Sequence, residues 1–288
     1  MSAVMSKQNT GIGAGVEIRL AAVLGMDVET RTALESVERL AAQGPVAVPG
    51  VFMPDAGVRE RLRGLGVIEE AEEEDFHRVK TVVLPYGGTP ARDKQGWKER
   101  GWRIVDTRSA HVRRAQVTLG LLKLEGAQTL VIGRHDDPET RALAADYPGT
   151  VVLEDTTDIA RLRYAPAFGA VSQTTLSPRR VAWLGQQLRM RYRDARITVL
   201  ETLAPGMASR EKALEPLCGW CDGVLVAGDP GEASVEALLE TARRCGKAAA
   251  TVDDAEALQG CRRVAVSAGA FVSRERVEAL VRGMTRSP

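Results

Sequence analysis

Several short polar stretches in this 288-residue chain carry side chains able to do chemistry. RHDD at 134–137, followed by Glu139, gathers one histidine and three acids on one loop, and His111 stands on another. Imidazole and carboxylates that face one cavity can hold a divalent metal or serve as a general base. The plainer expectation for RHDD is a solvated loop in which an aspartate caps a helix. Ser109 lies two residues before His111, as a nucleophile and its base might, but side chains two apart on one loop rarely take that geometry, and no orienting acid accompanies them. CGWC at 218–221 has the spacing of a redox dithiol. Such a motif normally follows a strand and opens a helix, where the helix dipole lowers the thiol pKa. Here it closes a helical segment and precedes the strand-like DGVLVAG. Cys218, Cys221, Cys245 and Cys261 all fall just before strand-like runs of the last third of the chain, so buried or half-buried free thiols are expected, with a shared zinc or small cluster as the less common outcome. GDPGEAS (228–234) could bind an anion through backbone amides, although neither a GxxxxGK nor a GxGxxG pattern follows a strand.

The elements that must carry these loops come as a repeat. TVVLPYGGTPARDKQGWKERGWRIVDT from Thr81, TLVIGRHDDPETRALAADYPGTVVLEDT from Thr129 and GVLVAGDPGEASVEALLETARRCGKAAATVDD from Gly223 share one plan. Each has an apolar strand, a Gly-containing polar loop, a helical stretch and a second strand ending in acid. The connection is long enough for a parallel crossover, and uninterrupted apolar runs such as TLVI suit a sheet covered on both faces. Between the copies, Val181, Leu184, Leu188 and Tyr192 recur at helical spacing behind Ser177 and Pro178, while Leu34, Val37 and Ala41 recur ahead of Gly44. Asp55 is placed to cap a helix holding Val58 and Leu62, and the acidic EEAEEED (69–75) reads as a solvated loop or helix face. The expected fold class is α/β: three similar small parallel-sheet domains whose strand ends can face one central cavity. The lobes are 14–108, 109–203 and 204–288, with 1–13 able to pack against the third.

Composition narrows the function classes. Lys+Arg is 39 and Asp+Glu 38, a formal charge of +1, so there is no basic excess to hold a nucleic-acid backbone. Hydrophobic content of 44% and charged content of 27% suit a globular protein, and no apolar run approaches membrane-spanning length. The opening MSAVMSKQNT lacks the apolar core of a signal peptide, and four cysteines in so long a chain suit a reducing compartment, so a cytoplasmic protein is expected.

The motifs, in their order along the chain, also carry a resemblance. VSQTTLSPRRVAWLGQQLRMRY (171–192), GIGAGVEIRL (11–20), VIGRHDDPETRA (131–142) and VAVSAGAF (264–271) resemble the QTTLS, GFCxGV, IGHxxHPEVEG and GVTAGAS stretches of the LytB/IspH family, the hydroxymethylbutenyl diphosphate reductases. The resemblance implies a three-lobed, pseudo-threefold α/β trefoil around a central cavity, an iron–sulfur cluster held by one cysteine from each lobe, and a diphosphate pocket. It further implies that Glu139 and Thr174 handle a proton and the substrate hydroxyl as catalytic residues, although a helix-starting acid and a turn-forming threonine are equally ordinary structural features.

Departures from the family pattern fall at its ligand positions. Gly13, Ser109 and Ala204 stand where the family has its three cluster cysteines. The family's pocket histidines correspond to Gly50, Gly87 and Asp137, its Ser-x-Asn to Glu232-Ala233-Ser234, and the serine after AGA to Phe271. Thiolates are the ligands such clusters require, and acids or an apolar ring in place of His and hydroxyl donors fail to pair a diphosphate. The expected function is therefore a cluster-less relative, an enzyme of small-molecule biosynthesis doing non-redox, lyase- or hydrolase-type acid/base chemistry in the cavity. Glu139 and Thr174 would be its catalytic residues, and Ser109, His111, His135, Asp137, Gln173 and Thr175 would contact a small polar molecule. The alternative is a non-catalytic accessory, regulatory or ligand-binding homologue with a protein partner. No cofactor is expected, and a divalent metal near the RHDD loop is the less favoured variant.

Overall fold

The structure, a computed structural model, describes residues 15–285, which divide into two compact units: Val28–Met207, and the chain up to Asp27 together with Ala208 onward. No helix among the described residues is long and apolar enough to cross a membrane.

In the larger unit, helix α1 (Val28–Ala41) leads to a parallel sheet of β2 (Val46–Ala47), β3 (Val67–Ile68), β4 (Thr81–Val83) and β5 (Arg103–Val105), ordered β3-β2-β4-β5. Helix α2 (Ala56–Gly64) starts where Asp55 accepts a hydrogen bond from the Val58 N–H at 2.9 Å. The short α3 (Glu73–Phe76) and α4 (Ala91–Glu99) frame a core in which Phe76 and Val82 meet Trp97 and Trp102. The acidic run is only partly solvated: Glu69 turns inward, because the Phe52 N–H needs an acceptor and finds its carboxylate at 2.8 Å.

The second sheet of this unit contains β6 (Gln128–Ile132), β7 (Val151–Leu153), β8 (Ala167–Ser172) and β9 (Arg196–Val199), ordered β7-β6-β8-β9 and again parallel. Helices α5 (Ala110–Leu124), α6 (Pro138–Asp146), α7 (Thr156–Arg161) and α8 (Pro178–Arg191) accompany it. Val131 and Val171 of the sheet pack against Ala115, Leu119, Leu122 and Leu143. Close approach of α5 depends on Gly169 of β8, where an added Cβ would sit 2.9 Å from two Leu122 carbons.

The smaller unit holds β1 (Glu17–Leu20), β10 (Gly223–Ala227), β11 (Ala248–Thr251) and β12 (Arg263–Ala268), all parallel in the order β1-β12-β10-β11. Helix α9 (Pro205–Cys218), α10 (Ala233–Arg244) and α11 (Arg274–Thr285) complete the helix set. Leu225, Val264 and Val266 enter one apolar cluster, whereas Val224, Val226 and Ala265 enter another with α10 residues Val235, Leu238 and Ala242. Alternate strand positions thus feed opposite faces, as a doubly covered sheet requires.

The expected α/β class with three parallel sheets is present, and each repeat copy forms a strand–helix–strand unit: β4-α4-β5, β6-α6-β7 and β10-α10-β11. The span 14–108 does not stay together, because β1 pairs with β12. An amphipathic tetrapeptide far from its partner in sequence carries no local sign of which sheet it completes. For Gly169→Val, urea unfolding should show a loss of about 1–3 kcal/mol, the usual cost of overpacking a core; wild-type stability would show that α5 does not rest on this strand.

Candidate functional site

Asp137 and Pro138 start α6, and the tight start aims the next residue, Glu139, back at the sheet. The Asp137 carboxylate accepts from the Glu139 N–H at 2.8 Å and Pro138 takes the first helical position, so the helix begins abruptly. Glu139 is buried at 5% exposure. Its carboxyl meets Thr174, two residues beyond β8: the Thr174 N–H donates to Oε1 at 2.7 Å and the hydroxyl to Oε2 at 2.8 Å. Gly87, in the loop after β4, presses on the same group, since a Cβ there would lie 3.3 Å from Glu139 Cβ. The backbone carbonyl of Thr174 in turn accepts from the Ala204 N–H at 2.9 Å. Beneath it, the Ser172 N–H donates to the Thr202 hydroxyl oxygen at 2.9 Å. Three chain segments therefore close on one acid.

Burial raises the Glu139 pKa to about 8, and the Asp137 charge adds to the rise; the two bonds from Thr174 oppose it. Burial also raises Asp137, against the N–H bonds of Glu139 and Thr140. Gln173 joins the group with a fully used amide. Its Nε2 donates to Asp137 at 2.8 Å and Thr175 at 3.0 Å, and its Oε1 accepts from the Arg134 N–H at 3.1 Å and the Thr140 hydroxyl at 3.2 Å.

Of the residues expected at the site, Asp137, Glu139, Gln173, Thr174 and Thr175 thus form one connected group. Ser109 is the N-cap of α5, its hydroxyl oxygen accepting from the Val112 N–H at 3.1 Å. His111 is half-buried in the first turn of that helix. His135 is exposed, with Nε2 2.9 Å from Asp158 of α7. Gly13 lies outside the described residues.

Neighbouring residues hold the Ser109 loop. Arg108 donates to Asp106 at 2.8 and 2.6 Å and to Gln116, and Gln116 donates to Asp146 at 3.2 Å. Lys94 reaches the same Asp106 at 2.9 Å. Burial alone would raise the Asp106 carboxyl, but the hydrogen bonds and charges of Arg108 and Lys94 hold it well below the usual carboxylate range. The signal available for this network was the acid that ends each copied strand.

In the smaller unit, Glu232 caps α10: its Oε1 accepts from the Ser234 N–H at 3.2 Å and from the Ser234 hydroxyl, which itself receives the Ala270 N–H at 2.7 Å. Glu232 is buried, and its carboxylate lies directly against Gly269. Phe271 is buried beside that turn.

Three parallel four-stranded sheets with this helix order have a counterpart among solved structures. The chain is similar to a solved structure titled as the E-1-hydroxy-2-methyl-but-2-enyl-4-diphosphate reductase from Plasmodium falciparum, with TM-score 0.86 and 18% identity, covering 96% of this chain and 90% of that one. A family model described as LytB protein matches residues 18–285, and the chain belongs to the LytB family. Curated relatives named 4-hydroxy-3-methylbut-2-enyl diphosphate reductase include those of Ralstonia nicotianae and Pseudomonas putida. The first is 27% identical over 93% of this chain and 86% of the relative, the second 28% over 93% and 89%.

An iron–sulfur cluster, implied by the family resemblance, needs thiolate donors. Ser109 offers a hydroxyl already engaged as a helix cap, and Ala204 offers no side-chain donor. The four cysteines lie elsewhere, beside β10, β11 and β12. The residues at these two positions do not fit a cluster held by thiolates.

Raising the Glu139 pKa from 4.5 to about 8 makes the folded protein hold a proton that the unfolded chain has released. This contribution to stability is complete below about pH 4.5 and is lost as pH rises through 8, with a limiting slope of about 1.4 kcal/mol per pH unit. Denaturant unfolding from pH 5 to 9 should show this decline in wild type and not in Glu139→Gln; parallel profiles would refute a neutral Glu139.

Proposed function

We propose that this LytB-family chain works without a cluster held by three thiolates, and that Glu139 and Thr174 are a proton-transfer pair acting on a small polar molecule. The chemistry is non-redox, of lyase or hydrolase type, rather than reduction of hydroxymethylbutenyl diphosphate. One observation supports the proposal: the Glu139–Thr174 pair beside Ala204 is complete, while Ser109 and Ala204 stand where the family resemblance puts two of the cluster cysteines.

The pair has two protonation states with opposite polarity. When Glu139 is ionised, the Thr174 hydroxyl donates to it. When Glu139 is neutral, its own O–H can donate to Thr174 Oγ1, which frees the threonine hydrogen to point at a bound molecule. A proton can thus pass between Glu139 and a substrate through one hydroxyl. With its pKa at about 8, the group is mostly protonated at neutral pH and suited to act as a general acid, and near enough to that pH to return as a base. Asp137 and Glu232 stand where the family pattern has a histidine and the serine of Ser-x-Asn, an acidic exchange that disfavours a diphosphate.

The second reading is a non-catalytic ligand-binding or accessory homologue that works with a protein partner. It is favoured by Glu232, whose buried carboxylate fills the turn between α10 and Gly269.

Anaerobically purified protein should contain iron and acid-labile sulfide far below stoichiometry, and should not reduce hydroxymethylbutenyl diphosphate when given a strong reductant. Stoichiometric iron and sulfide with turnover would overturn the proposal in favour of the activity named for the relatives. Incubation with fractionated small metabolites should give a product whose rate falls about 100-fold or more in Glu139→Gln. Retention of an unaltered ligand, equally by both proteins, would select the second reading.

A further inference from the structure

The four cysteines take no part in the site above. Cys218 closes α9, Cys221 follows in the turn before β10, and Cys245 is the C-cap of α10, each near the amino end of a strand. The carboxyl ends of α9 and α10 lie side by side. Arg244 reaches Glu215 at 3.6 Å across them, Cys218 packs in one apolar cluster with Leu238, Leu239 and Ala242 of α10, and the Cys218 and Cys245 side chains lie close enough to interact. Cys218 is buried and Cys245 exposed. Cys261 packs elsewhere, its sulfur 2.9 Å from where a Cβ on Gly223 would sit. One thiol therefore meets solvent while its neighbour is shielded, which is the arrangement of an attacking and a resolving cysteine.

We propose that Cys218 and Cys245 form a reversible disulfide, with a low-molecular-weight disulfide such as glutathione disulfide as the oxidant and Cys245 reacting first. The Cys245 thiolate attacks one sulfur of glutathione disulfide, forming a mixed disulfide and expelling one glutathione thiolate. Cys218 then gives its proton to solvent and attacks the Cys245 sulfur, closing the protein disulfide and expelling the second glutathione. The two protein thiols lose two electrons and two protons, and the oxidant becomes two glutathione thiols.

The order follows from the surroundings. Burial, followed by the neighbouring Cys245 and Cys221, pushes the Cys218 thiol up to about 12, so it is the poorer first nucleophile. Capping Cys245 as a mixed disulfide removes the adjacent thiolate charge, and the Lys247 ammonium continues to favour the Cys218 thiolate. The closed bond would staple α9 to α10.

The full-length protein, under native conditions, is treated with glutathione disulfide, quenched in acid and alkylated. The expected product has lost two titratable thiols and two hydrogens of mass, and yields a peptide joining Cys218 to Cys245. Cys218→Ala should stop at a glutathione adduct on Cys245. Cys245→Ser, altered at an exposed position, should keep its remaining thiols, and Cys261→Ser should close at the wild-type rate. A lasting adduct on wild-type Cys245, a Cys218–Cys221 bond, no reaction, or closure that survives Cys245→Ser would each overturn the proposal.

Discussion

A carboxyl group held out of water against a threonine, under the influence of a second acid, is the constraint around which the larger unit is arranged. Water would solvate an ionised Glu139 strongly, and burial removes that solvation. The chain meets the cost with two hydrogen bonds from Thr174 and a pKa high enough to keep the group largely neutral at pH 7. Neutrality lets the loops after β4, β6 and β8 close on it, through Gly87, the start of α6 and Thr174, and lets the loop after β9 hang from Thr174 through Ala204. Separating the start of α6 from the loop after β8 would leave the buried Glu139 carboxyl and the Thr174 N–H and hydroxyl unpaired.

Family membership and the chemistry of the site rest on different features of the chain. The scaffold is that of the LytB family over nearly the whole chain, and curated relatives at 27–28% identity carry a reductase name. A fold positions loops, whereas chemistry depends on the side chains those loops present. At Ser109 the backbone still turns from β5 into α5, but the side chain there satisfies a helix N–H. At Ala204 the backbone still reaches Thr174 with no side-chain donor to offer.

Much of this was legible from residue types. The copied strand–helix–strand units stood out because parallel strands covered on both faces are uninterrupted apolar runs, and helix starts at Asp55, Asp137 and Ser177 followed from capping and proline preferences. What stayed hidden was nonlocal. Glu139 and Thr174 are 35 residues apart, and no periodicity reports their bond. The pairing of β1 with β12 joins opposite ends of the chain. Glu69 belongs to a run that reads as solvent-exposed, yet it turns inward because a single backbone N–H at Phe52 must be satisfied.

Gln173 shows why a resemblance identifies a position more readily than a role. A buried glutamine amide has two donor hydrogens and an oxygen with two lone pairs. Here the hydrogens go to Asp137 and Thr175, and the lone pairs go to the Arg134 N–H and the Thr140 hydroxyl. With every valence committed to the protein, Gln173 acts as a strut that fixes the Asp137 carboxylate relative to the loop after β8, and so fixes the setting in which Glu139 loses its proton. The Thr174 and Thr175 hydroxyls retain capacity beyond their bonds to Glu139 and Gln173. In the proposed reading, contact with a bound molecule falls to these two oxygens, which are presented by a loop whose amide neighbour cannot turn away from its partners without stranding four polar groups.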